Sequence, residues 1–83
     1  RLRLREVNWL GDAPLPATGL RLQVKLRSSQ PPVGAVVRPD PDRASGAEVD
    51  LETPQAGVAP GQACVFYDGP RVLGGGWICR DDG

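Results

Sequence analysis

The chain is 83 residues long, 40% hydrophobic and 24% charged, with ten cations against ten acids and no histidine. One domain at most fits that length, and the hydrophobic share is that of a folded chain rather than a disordered tail. The lack of histidine removes the commonest general base, every Ser-His or Cys-His pairing and the commonest metal ligand, so no catalytic or metal-binding residue is assigned.

The charges are segregated along the chain. Residues 1–38 carry seven cations against two acids, whereas residues 39–83 carry three cations against eight acids. A basic half is compatible with a nucleic-acid-facing side, but in a small barrel paired strands also set opposite charges across from one another. On charge alone the second account is favoured. Cys64 and Cys79 are expected to stay unbridged, because a hairpin turning at Asp68-Gly69 sets Cys64 opposite a residue near Gly75. Two free thiols suit a reducing, cytoplasmic setting, and burial is the expected role of both. No apolar run approaches the roughly 18 residues of a membrane span, so no membrane partner is expected. The chain opens on Arg1 and contains no methionine, so it is expected to be a fragment of a longer protein.

In chain order, Leu2 and Leu4 alternate with Arg1, Arg3 and Arg5, which predicts a half-buried strand running toward Trp9. The stretch 11–19, with Pro14 and Pro16, is a loop. Leu20, Leu22, Val24 and Leu26 then alternate without a fault against Arg21, Gln23, Lys25 and Arg27, the clearest strand in the chain. Residues 28–32 break it, residues 33–38 form a third strand, and residues 39–46 carry strong turn chemistry. Ala47, Val49 and Leu51 alternate with Glu48, Asp50 and Glu52 in a fourth. Pro60-Gly61 precedes a closing hairpin with strands at Ala63 to Tyr67 and from Val72 onward, where Gly74-Gly75-Gly76 allows a bend, a bulge or a close approach. Six short strands with no helical periodicity predict an all-β fold, a small six-stranded antiparallel β-barrel forming a single domain over 1–83. Trp9, Phe66, Tyr67 and Trp77 are expected to pack in its core.

With the strands laid out, a resemblance emerges. Glu6-Val-Asn-Trp-Leu10, Lys25-Leu-Arg27 followed by Gln30-Pro-Pro-Val33, Val58-Ala-Pro-Gly-Gln62, Val65-Phe-Tyr-Asp-Gly69 and Val72-Leu-Gly-Gly-Gly-Trp-Ile78 occur in order. Together they closely resemble the C-terminal domain of the tRNA-specific 2-thiouridylases. The resemblance implies a longer enzyme whose N-terminal domain, absent here, uses ATP with Mg to activate the wobble uridine of tRNA and then transfers persulfide sulfur to it. It implies no cofactor in these 83 residues, and no role in catalysis for Cys64 or Cys79. The implied partners are tRNA, the catalytic domain of the same polypeptide and a sulfur-carrier protein. On that footing the candidate RNA-binding residues are Lys25, Arg27 and Gln30, with Arg21 beside them, since alternate residues on one strand face stand about 6.5–7 Å apart. Ser28 and Ser29 stand where many members have an aromatic residue and an arginine. Two other readings compete. The cationic face of the second strand can simply be solvated and paired with Glu48, Asp50 and Glu52, or the barrel can be a protein-interaction module without RNA contact.

Overall fold

The computed structural model describes residues 1–26, 30–55 and 57–79. Six strands follow one another: β1 (Leu2–Trp9), β2 (Leu20–Lys25), β3 (Val33–Pro39), β4 (Ala47–Leu51), β5 (Ala63–Asp68) and β6 (Arg71–Ile78). They close into an antiparallel barrel in the order β1-β4-β3-β2-β5-β6. The all-β barrel read from the sequence is therefore the observed fold, and closure leaves no unpaired sheet edge to attract another chain. No helix occurs among the described residues, and none is long and apolar enough to cross a membrane.

Period-two patterning explains which side chains turn inward. In β2, Leu22 and Val24 are buried while Arg21 and Gln23 are exposed. Phe66 is the largest fully buried side chain and sits among small neighbours such as Ala35, Ala47 and Cys64, as the narrow interior of a six-stranded barrel requires. Burying one phenyl ring contributes roughly 2–3 kcal/mol. Trp9 leans against the core at one end, its ring centroid 6.2 Å from that of Phe66 and tilted by 55°. Its indole N–H donates to the Ala13 carbonyl at 2.7 Å and holds the β1–β2 loop over the barrel mouth.

Two local devices shape the closure. In β1 the register shifts between Arg5 and Asn8, and Glu6 adopts φ +52°, a left-handed conformation that costs a non-glycine residue about 1–2 kcal/mol. Beyond that bulge the strand leaves β4, and the Val7 amide bonds the Ser45 carbonyl at 2.8 Å instead. In β6, Gly74 lies at φ +121° between Trp9 and Phe66, and a Cβ there would fall onto the Asn8 carbonyl oxygen. The glycine run is thus a place where three strand backbones meet closely, which is how so small a barrel coils shut.

Three details depart from expectation. The hairpin turns at Gly69-Pro70 rather than Asp68-Gly69, because Asp68 still pairs with Arg71. Proline cannot take the positive φ that a type I′ turn needs at its second position, so Gly69, at φ +59°, takes the only positive angle. Trp77 is not in the core: alternation from the inward Ile78 turns it outward, and it is 46% exposed. The residue opposite Cys64 is Gly76, one place from the expected position, and both cysteines are free.

Candidate nucleic-acid interface

The outer face of β2 presents Arg21, Gln23 and Lys25, because Leu22 and Val24 occupy the inner one. Arg21 extends into solvent, yet its guanidinium is taken by the Glu52 carboxylate, which folds back over Gly34. Glu52 reaches that place because its amide bonds the Gly34 carbonyl at 3.0 Å just beyond the end of β4. Lys25 is half-buried, pairs in register with Val65, and has no acidic partner among the described residues. Gln30 is half-buried and lies past the end of β2. Arg27 lies outside the described residues. The structure thus gathers Arg21 and Lys25 on one face and sets Gln30 apart from them.

Two acids of β4, Glu48 and Asp50, are held by arginines on the neighbouring strands and at the chain's start. Arg38 on β3 donates to Asp50 at 2.7 Å and lies 3.9 Å from Glu48, while Arg1 reaches Asp50 at 2.9 Å and Glu48 at 3.5 Å. Hydrogen bonds from Arg1 and then Arg38 hold the Asp50 carboxyl below the usual carboxylate range. Glu48 is buried by its neighbours, a burial tolerable only beside two guanidinium groups. Cross-strand charge pairing therefore accounts for Arg1, Arg21 and Arg38. It places Arg3 across from Glu48 as well, without an ion pair, and leaves Lys25 with no acidic partner among the described residues.

The hairpin β5–β6 adds an outer surface that carries Tyr67 and Trp77, both expected in the core from residue type. Cross-strand pairs Ala63–Trp77, Val65–Gly75 and Tyr67–Val72 run along its outer side, and no charged side chain interrupts them between the hairpin's base and its turn. Arg5 of β1 pairs with Trp77, and Lys25 and Gln23 of β2 pair with Val65 and Tyr67. The signal was present in the sequence, since Ile78 inward implies Trp77 outward, but the bias of tryptophan toward interiors outweighed it.

The two free thiols stand in different surroundings. Cys64 is fully buried, and desolvation pushes its pKa up to about 12. Cys79 is half-buried and receives a hydrogen bond from Arg43 at 3.1 Å. Among the described residues no three His, Cys, Asp or Glu side chains gather to hold a metal ion.

The closed antiparallel order of six strands defines a small β-barrel domain class. The family profile described as the aminomethyltransferase beta-barrel domain matches residues 1–78. The chain belongs to that family, in the form found as the C-terminal domain of tRNA-specific 2-thiouridylases. It is 56% identical over 80 residues to the tRNA-specific 2-thiouridylase MnmA of Ruegeria pomeroyi, covering 93% of this chain and 21% of that protein. Proteins of the same name from Paramagnetospirillum magneticum and Parvibaculum lavamentivorans are 54% identical over 80 residues and 52% over 88 residues. These alignments cover 94% and 99% of this chain, and 20% and 21% of the relatives. The chain spans about a fifth of the length of the curated relatives it matches.

Proposed function

We propose that this barrel is the accessory tRNA-positioning domain of a tRNA-specific 2-thiouridylase, a cytoplasmic enzyme that uses ATP with Mg and persulfide sulfur to thiolate the wobble uridine of tRNA. The chemistry belongs to another domain of the same polypeptide, with sulfur delivered by a carrier protein. The barrel contributes affinity and orientation: cations neutralise phosphates, and a rigid closed sheet holds the substrate where a small displacement would lower the rate. Lys25 and Arg21, with Arg27 and Gln30 beyond them, form the phosphate-facing set. The reading rests on one observation above all: family membership coincides with an outward cation on β2, Lys25, that has no acidic partner among the described residues. The test is titration of the domain with unmodified tRNA between low and moderate salt. Neutralising two or three phosphates gives a slope of log K against log salt of about −2. Absence of binding at low salt refutes the reading.

A second reading has its own support. An open cavity of about 420 Å³ at the β1–β2 loop end is lined by Trp9, Leu20 and Leu73, with exposed Leu10 and Val72 close by in the chain. An apolar mouth of that kind suits docking onto the catalytic domain. In the full-length enzyme, Leu20→Asp would then lower activity while tRNA binding by the isolated domain stays unchanged.

A further inference from the structure

The outer side of the β5–β6 hairpin breaks the usual rule for a solvent-facing sheet, which alternates apolar-in with polar-out. Trp77 is 46% exposed and Val72 is 49% exposed, and with Ala63, Val65 and Tyr67 they form a continuous apolar strip. The Trp77 indole has no ring contact and no hydrogen-bond partner among the described residues. Beside it Gly75 offers no side chain, and none fits there, because a Cβ would lie 3.1 Å from the Val65 Cα and closer still to the Cys64 carbonyl. The indole therefore stands beside a shallow, side-chain-free stretch of β6.

What flanks the strip decides its occupant. On the β1 side stand Arg5, the register partner of Trp77, and Arg3, one step further along the same face. On the β2 side stand Lys25 and Gln23. Arg5 shares its charge with Glu6; Arg3 stands across from Glu48 in register but makes no ion pair with it, and Lys25 makes none with any acid among the described residues. The acids of β4, the next strand beyond β1, are held by Arg1 and Arg38. From strand spacings, Lys25 lies on the order of 10 Å from Trp77, and Arg3 lies closer. Tyr67 supplies a second aromatic ring about 13 Å along β5.

We propose that this strip is a stacking platform for unpaired RNA bases, with Trp77 as the main station, Tyr67 as the second, and Arg3 and Lys25 holding the phosphates on either side. A flat aromatic surface bordered by free cations is what single-stranded nucleic acid requires, since every base has a π-face and every linkage a charge. The proposal rests on the tRNA-positioning reading. It moves the centre of contact from β2 to the hairpin.

The experiment follows the indole fluorescence of the domain titrated with an unmodified tRNA anticodon stem-loop. Trp77→Phe serves as the baseline that leaves Trp9 as the sole emitter. The wild-type chain is expected to be quenched on binding and Trp77→Phe to bind with little quenching. Trp77→Ala should bind about 5- to 150-fold more weakly, the range that loss of one stacked base implies. Arg3→Gln and Lys25→Gln should each reduce the salt slope by about 0.7–0.9 while leaving the quench intact. A folding defect in the alanine variant would show as a Tm lowered relative to Trp77→Phe in circular dichroism, so weaker binding counts for the platform only where the two melt alike. If RNA binds with the expected salt dependence but Trp77→Ala binds as tightly as wild type and no quench occurs, the platform is refuted and the positioning role stands. If no RNA binds at low salt, both fall. Shielding of Trp77 from acrylamide by the catalytic domain, without any RNA effect, would make the strip a protein dock and overturn the proposal.

Discussion

Gly74→Ala is expected to be far more damaging than an alanine at other positive-φ glycines of this chain. Two costs combine at Gly74. Its φ of +121° lies in a region close to glycine-only for L-residues, a strain of roughly 1–3 kcal/mol. Its Cβ would also strike the Asn8 carbonyl and approach Trp9 Cα to 3.3 Å, so β1 and β6 must separate there. That separation endangers the Trp9–Gly74 pairing and the neighbouring bond from the Leu10 amide to the Leu73 carbonyl at 2.9 Å, at about 0.5–1.5 kcal/mol for each hydrogen bond. The sum is about 2–6 kcal/mol, against a total stability of roughly 4–12 kcal/mol for a domain of this size. Gly61 is the control: its φ is +88°, but nothing lies within 4 Å of where its Cβ would be, so alanine there costs only the backbone strain of about 1–2 kcal/mol. Thermal unfolding followed by circular dichroism would show a Tm lowered by on the order of 15–30 °C for Gly74→Ala and by about 10 °C for Gly61→Ala. Equal losses for the two variants would refute the argument that strand crowding, rather than φ alone, dictates glycine in β6.

Other outcomes follow from the same geometry. Because burial raises the Cys64 pKa to about 12 from an unfolded value of 9.0, folded stability is whole below pH 9 and falls as pH rises from there toward 12, by on the order of 4 kcal/mol. Cys64→Ala should flatten that alkaline loss in urea titrations, and in the native wild type a thiol reagent should label Cys79 well before Cys64. The depressed Asp50 pKa acts at the other end: its contribution is present above about pH 4 and is lost as pH falls through the lowered value, so Asp50→Asn should flatten the acid limb of stability against pH. Trp9→Phe removes the hydrogen bond to Ala13 while keeping a ring against Phe66. It should cost about 1 kcal/mol and speed hydrogen exchange or proteolysis within residues 10–19 more than elsewhere.

The strands themselves were legible because side-chain alternation is a local property. The fault-free run from Leu20 to Leu26 announced β2, and Ala47 to Leu51 announced β4, without reference to the rest of the chain. The strand order was not legible, since nothing local in Leu2–Trp9 says that it lies between β4 and β6. The bulge at Glu6 was invisible because glutamate carries no preference for positive φ, and the shift in register shows only once β1 is paired with β6. At the candidate site, the outward cations of β2 were readable, but the capture of Arg21 by Glu52 was not, for β2 and β4 touch only through β3. Trp77 was misread because residue type was weighed above register. Its outward position follows from Ile78 once the strand is known to continue through the glycine run.

Closure between the first and last strands also sets the tempo of folding. Leu4 pairs with Ile78, so nearly the whole of this 83-residue stretch must be synthesised before the barrel can shut. Until β6 emerges, β1 and β5 each present an open edge to solvent and to other nascent chains. Such dependence on sequence-distant pairing slows folding toward milliseconds or seconds. A truncation that removes only the last ten residues would therefore leave a sticky, unfinished sheet rather than a slightly shorter barrel.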